Sequence, residues 1–116
     1  MAHTFVFGLV GPTCTAHARA TWNRLLKEQG IDGFFDFYRA KNECELVTRL
    51  SEMFLLERRG YLIDASLQEA ATALMDILDP SVEQHRVDTV RNERGVLTGY
   101  YLGVVPPAQI LKIWMI

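Results

Sequence analysis

The run Phe5-Val6-Phe7-Gly8-Leu9-Val10, closed by Gly11-Pro12, constrains this chain more than any other stretch. It is continuously apolar instead of alternating, so a strand built from it has two faces to bury and needs covering layers on both sides of its sheet. The chain supplies helices for those layers in order. Over 15–29, Ala18, Trp22, Leu25 and Leu26 recur at helical spacing, and Gly30 stands where a left-handed cap ends the helix. The segment 33–38 is aromatic and strand-like. Over 43–58, Leu46, Leu50, Met53 and Phe54 share one helical face. Gly60-Tyr61-Leu62-Ile63 reads as a short buried strand, and Ser66-Leu67-Gln68-Glu69 has the capping-box form that opens a helix through Ala70, Leu74 and Leu78.

Asp79-Pro80 stops that helix and can start a short one, because proline suits a first helical position but forbids continuation. Strands over 87–91 and 96–101 flank Asn92-Glu93-Arg94-Gly95, a hairpin whose glycine supplies a positive φ. After Pro106-Pro107 a helix is expected over 108–116, with Ile110, Leu111, Trp114 and Met115 available for burial. The pattern predicts an α/β fold: a three-layer α/β/α domain with a mixed, mainly parallel sheet and a C-proximal antiparallel hairpin. With 116 residues, a single domain over 1–116 is expected.

Composition narrows the function classes. Twelve basic against 14 acidic side chains, a formal charge of −2, form no electrostatic footprint for nucleic acid or anionic membranes, and neither is an expected partner. No apolar run approaches the ~20 residues that span a bilayer. Cys14 and Cys44 have no metal-ligand spacing and no dense disulfide pattern, which favours a reduced, cytoplasmic location. No metal site is expected. Cys14 and His17 stand three residues apart at a helix start but lack further ligands or an orienting acid, and His3 and His85 have no partners nearby in sequence.

One segment, Val87-Asp88-Thr89-Val90-Arg91-Asn92-Glu93-Arg94-Gly95-Val96-Leu97-Thr98-Gly99, is similar to the Ala-Val-Asn-Thr-Val and Asp-Gly-x-Leu-x-Gly elements of shikimate dehydrogenases. Near the N-terminus, Pro12 and Asn23 fall at the spacing of the proline and asparagine in that family's Asn-Pro…Ser-x-Ser-Pro-x-x-His-Asn element. Leu62-Ile63-Asp64-Ala65-Ser66-Leu67-Gln68-Glu69 stands where the family has Asn-Val-Thr-[Ile/Val]-Pro-x-Lys-Glu. The chain thus resembles the substrate-binding half of shikimate dehydrogenases over about 5–103, and no dinucleotide-binding domain is expected within it.

The resemblance implies a lysine and an aspartate that assist proton transfer while a nicotinamide cofactor takes the hydride. The matching positions here are Gln68 and Gly103, and neither side chain exchanges a proton near neutral pH. No catalytic residue is therefore expected, nor dehydrogenase activity. No cofactor is expected either: Gly8-Leu9-Val10-Gly11-Pro12 has the wrong spacing for a dinucleotide fingerprint, so NADP would need a separate domain. The family's two serines, which hold the substrate carboxylate, become Ala16 and Ala18. Thr13 and Thr15 either replace those hydroxyls or cap the helix. Polar positions of the family become Asp64 and Asp88, so the cleft gains two acids and loses a lysine. A neutral polyol or a cation then suits it better than a carboxylate, unless both aspartates merely cap turns.

The ligand-binding candidates are therefore Thr13, Thr15, Asp64, Gln68, Asp88 and Tyr101, the last as a stacking ring or a sheet-packing aromatic. The leading expectation is a shikimate dehydrogenase-like pseudoenzyme that binds a small polar molecule, a polyol or shikimate-like compound. The alternatives are an interaction or homodimerisation module, using an apolar face or the C-terminal segment 110–116, and shikimate dehydrogenase activity with a separate NADP-binding partner.

Overall fold

A computed structural model describes residues 4–115, so His3 and Ile116 lie outside the described residues. The apolar run forms β1 (Phe5–Gly11), and the sequence then alternates as α1 (Ala16–Glu28), β2 (Gly33–Arg39), α2 (Glu43–Leu55) and β3 (Gly60–Ile63). A 3-10 turn (Ala65–Leu67) leads into the short α3 (Gln68–Thr72), followed by β4 (Ile77–Leu78), β5 (Thr89–Glu93), β6 (Val96–Tyr100) and α4 (Pro107–Trp114). The six strands lie in the order β2-β1-β3-β5-β6-β4. β1 pairs in parallel with both β2 and β3, β5 runs antiparallel to β3 and β6, and β4 is parallel to β6.

The two-sided burial demanded by β1 is met. Phe7 points to a layer holding Trp22 and Leu26 of α1 and Ile110, Leu111 and Trp114 of α4. Val10 points the other way, to Leu46, Leu50 and Met53 of α2 and Leu67 and Ala71 beside α3. The apolar C-terminal helix is thus absorbed by the core, with Trp114 fully buried. Its ring lies across Gly60, where any Cβ would overlap it.

Local chemistry accounts for most boundaries. Thr15 Oγ1 accepts the Ala18 N–H at 3.0 Å to start α1, and Gly30 leaves the helix with φ +69°. Asn42 Oδ1 accepts the Glu45 N–H at 2.9 Å to start α2, whose first turn carries Glu43 and Glu45 at the positive end of the dipole. The hairpin turn has Arg94 at φ 53° and Gly95 at φ 87°, the left-handed pair that matches strand twist.

Three expectations are corrected. α2 ends at Leu55 instead of running to residue 58, and Phe54 is 61% exposed. Phe54 sits at the border of the apolar stripe, and its ring covers Gly95 of the hairpin instead of entering the core. The box at Ser66 does not cap a long helix. The Ser66 hydroxyl donates to Asp64 Oδ2 at 2.6 Å, and α3 lasts five residues. Residues 76–79 are then drawn onto β6, because Asp76 N–H donates to Leu97 O while Asp76 Oδ2 accepts the Leu97 N–H at 2.8 Å. Leu78 is consequently a strand residue. No helix starts at Pro80; Asp79 Oδ2 accepts the Ser81 N–H at 2.9 Å and closes a turn.

The outer edge of β2 is closed by side chains. Asn23 of α1 donates Nδ2–H to Phe35 O at 2.9 Å and accepts the Phe35 N–H at 2.8 Å, and the next outward N–H, of Phe37, bonds to Asp36 Oδ1. That N–H, with the Arg19 guanidinium 2.9 Å away, holds the Asp36 carboxyl below its ordinary pKa. Asn23→Leu is expected to cost about 2 kcal/mol, since two backbone groups lose their partners beside the Trp22 layer. Urea titration checks this, and the bared strand edge should raise light scattering on storage.

Candidate binding cleft at the carboxyl ends of the strands

Because β1, β2 and β3 are parallel while β5 runs against them, five loops meet at one end of the sheet: those after β1, β2, β3 and β6 and the one before β5. Asp64 follows β3, donating its N–H to Val10 O at 2.9 Å, and its Cβ lies against Gly11. Its carboxylate caps the 3-10 turn through the Ser66 N–H and hydroxyl. The turn delivers Gln68, which is 9% exposed.

Both ends of the Gln68 carboxamide are engaged. Nε2 donates to Ile63 O at 3.0 Å, and Oε1 accepts a guanidinium N–H of Arg86 at 2.9 Å. The backbones are joined as well, Val87 N–H donating to Gln68 O at 3.2 Å. Two residues on, Asp88 latches the loop after β6: Oδ1 accepts the Leu102 N–H at 2.9 Å and the Thr89 hydroxyl at 3.0 Å, and Oδ2 accepts the Gly103 N–H at 2.8 Å. Tyr101 lies beside this group with its N–H on Ser81 Oγ at 3.0 Å and its ring centroid 5.9 Å from the Arg86 guanidinium carbon. A cavity of about 160 Å3 opens there, lined by Arg86, Tyr101, Ser81, Glu83 and Gln84.

The structure therefore brings together Gln68, Asp88 and Tyr101, with Asp64 at the near end of the turn. Thr13 and Thr15 stand apart, on the loop after β1. Thr15 is the helix cap, and the exposed Thr13 hydroxyl has no hydrogen-bond partner among the described residues. Arg86 escaped the sequence reading, which counted two added acids and one lost lysine. Its signal was the pattern Arg86-Val87-Asp88, in which alternate residues of an extended segment share a side. This cation stands beside Gln68, while Asp64 caps its turn and Asp88 holds the loop after β6.

The site can offer hydrogen bonds and one anchored positive charge. Neither the amide nor the guanidinium exchanges a proton near neutral pH. Burial pushes the Cys14 thiol above its ordinary range, against the opposing pull of Arg19. Among the described residues no group of three His, Cys, Asp or Glu side chains is placed to hold a metal. The turn after β1 does not fit a dinucleotide either. Gly8 is a mid-strand residue under the Tyr38 ring, and the space over Gly11 is filled by the Asp64 side chain, a carboxylate where a pyrophosphate would need N–H donors.

No family model matches the sequence, and no curated protein does. Solved structures do. Shikimate 5-dehydrogenase from Listeria monocytogenes, in complex with shikimate and NAD, superposes with a TM-score of 0.76 at 24% identity, over 86% of this chain and 35% of its own. This chain has a shikimate dehydrogenase-like fold. The Thermus thermophilus enzyme in complex with shikimate matches this domain at 26% identity, with a TM-score of 0.72 over 83% of this chain and 37% of its own. The 5-ketofructose reductase of Gluconobacter gives 0.75 at 16% identity, covering 84% and 36%. The chain spans about a third of the length of these enzymes. In this shikimate dehydrogenase-like domain no helix among the described residues is long and apolar enough to cross a membrane.

Proposed function

We propose that this shikimate dehydrogenase-like domain binds a small polar ligand, a polyol or shikimate-like compound, in the cleft beside Gln68 without oxidising it. The observation that carries the reading is the Gln68 amide, held at both ends by Ile63 O and Arg86 where the resemblance places a proton-transferring lysine. At the companion position, Gly103 offers an N–H to Asp88 and no side chain. A positioned acid-base pair contributes two to four orders of magnitude to such a reaction, roughly, and neither position supplies one. What remains is recognition, through the Arg86 guanidinium and the Tyr101 ring.

Isothermal calorimetry with shikimate, quinate and an uncharged cyclic polyol tests it. About a dozen heavy atoms at about 0.3 kcal/mol each correspond to a Kd on the order of 1 mM. Arg86→Met should weaken a carboxylate-bearing compound about 10-fold, the loss of one charge-assisted contact. With NADP and shikimate supplied, no reduction of the cofactor is expected from the chain or from its Gln68→Lys variant. Silence from all three compounds would remove the reading. Turnover with NADP, alone or with a separate cofactor-binding protein, would replace it with dehydrogenase activity, which the fold likeness favours.

A further inference from the structure

Along the outer side of α2 runs a groove made of three adjoining cavities of about 490, 470 and 370 Å3. The first two share Val47 and Leu74, and the last two share Phe54 and Gly95. The groove is graded in charge. Glu43 and Glu69, both exposed, bound the end nearest the start of α2. Val47, Phe54, Leu55 and Leu74 form the middle, each between 36% and 71% exposed. Arg58, Arg59 and Arg94 close the far end, with Glu57 the acid beside them. The polar groups of the middle are already engaged, Ser51 Oγ donating to Val47 O at 2.9 Å and Asp76 Oδ2 accepting from Leu97 N. At 13 residues α2 is about 20 Å long, so its charged ends are separated by more than a Debye length, about 8 Å at physiological salt.

We infer that this groove is the contact surface for a second copy of the chain, lying antiparallel across it about a two-fold axis near the middle of α2. A two-fold rotation reverses the charge gradient, so the carboxylates of each copy face the arginines of the other and the apolar stretches meet at the centre. A patch of one sign would repel itself under the same operation; a graded one is complementary to itself. The two ends are opposite in formal charge; at the basic end Arg58 lies over the Tyr38 ring and Arg59 Nε donates to Trp114 O, so the exposed Arg94 is the guanidinium that projects outward. Leu56, Ile77, Leu78 and Val96, between 43% and 55% exposed, border the groove's residues in sequence. The groove shares no lining residue with the cavity at Arg86 and Tyr101.

Sedimentation velocity of the intact chain over a hundredfold range of concentration should show a reversible monomer–dimer equilibrium. Leu55→Asp places two carboxylates in the apolar centre and should raise the dimer Kd by about 100-fold or more. Because Leu55 is 71% exposed, the fold should survive, as circular dichroism would verify. Glu69→Arg alone should raise the Kd about 10-fold to 100-fold, since the symmetry counts each like-charge contact twice. Combining it with Arg94→Glu should recover most of that loss. A monomer at every concentration overturns the inference, as does a dimer indifferent to Leu55→Asp or a double variant no better than Glu69→Arg. A chain that stays monomeric while binding another protein or anionic vesicles overturns it equally.

Discussion

Trp114→Ala is expected to lower the unfolding free energy by about 4 kcal/mol, within the range for emptying a buried indole. Trp114 is fully buried. Its ring stacks on Phe7 at 5.0 Å between centroids and tilts against Trp22 at 5.2 Å, joining the first strand, the first helix and the last. Nε1–H donates to Val90 O at 3.0 Å, so the truncation also removes a buried hydrogen bond to the sheet. The Trp114 carbonyl in turn accepts from Arg59 Nε at 2.5 Å. Domains of this size have only about 5–15 kcal/mol in total, so the variant should sit close to its transition at ambient temperature. Urea unfolding followed by far-ultraviolet circular dichroism measures it. Trp114→Phe should lose roughly half as much, since a ring remains while the indole bond to Val90 O is lost. A loss under about 1 kcal/mol for alanine would mean that α4 does not seal the second layer.

Asn92→Leu should cost about 3 kcal/mol although it adds apolar volume at a buried position. Asn92 is 6% exposed, and its Nδ2 donates to both Met53 O and Arg58 O at 2.8 Å while Oδ1 accepts the Gly95 N–H at 2.9 Å. One amide thus serves the last carbonyls of α2, the loop into β3 and the turn of the hairpin. Leucine leaves the Arg58 carbonyl and the Gly95 N–H without partners, each worth about 1 to 3 kcal/mol before relaxation and water entry, while Met53 O keeps the Arg58 N–H. Asn92→Asp should be worse at neutral pH, because an ionised oxygen would face two carbonyl oxygens. That repulsion raises the folded-state pKa of the introduced acid above its unfolded value. The penalty is therefore full at high pH and eases as pH falls through the raised pKa, where the protonated form donates one bond. Parallel urea titrations near neutrality and at mildly acidic pH should show the leucine variant unchanged between them and the aspartate variant recovering.

Much of the architecture is legible where a pattern concerns a residue and its near neighbours. The unbroken run 5–10 implied two covering layers because a strand without a polar face cannot lie at a surface. Thr15, Gly30 and the Arg94-Gly95 turn act through hydrogen bonds and dihedral preferences spanning a few residues, and they stand where the sequence placed them. Pairings across longer distances are where it misleads. Ser66 has the spacing of a capping box, yet Asp64 takes its hydroxyl. Leu74 and Leu78 keep helical spacing, yet Leu97, twenty-one residues beyond Asp76, claims that segment for the sheet.

The cleft divides along the same line. That residues 68 and 103 are an amide and a bare backbone is a matter of composition at two positions, and so is the absence there of a titrating pair. That the amide grips Arg86, that Asp88 spends its oxygens on Leu102, Gly103 and Thr89, and that Thr13 and Thr15 stand aside are consequences of chain crossings no local pattern encodes. The sequence by itself determined the layered α/β plan, since apolar periodicity and turn chemistry act over one or two turns of chain. Only the tertiary structure decided which polar groups were left for a ligand, because a hydrogen-bonding group is available only after every nearer partner, however distant in sequence, has been counted.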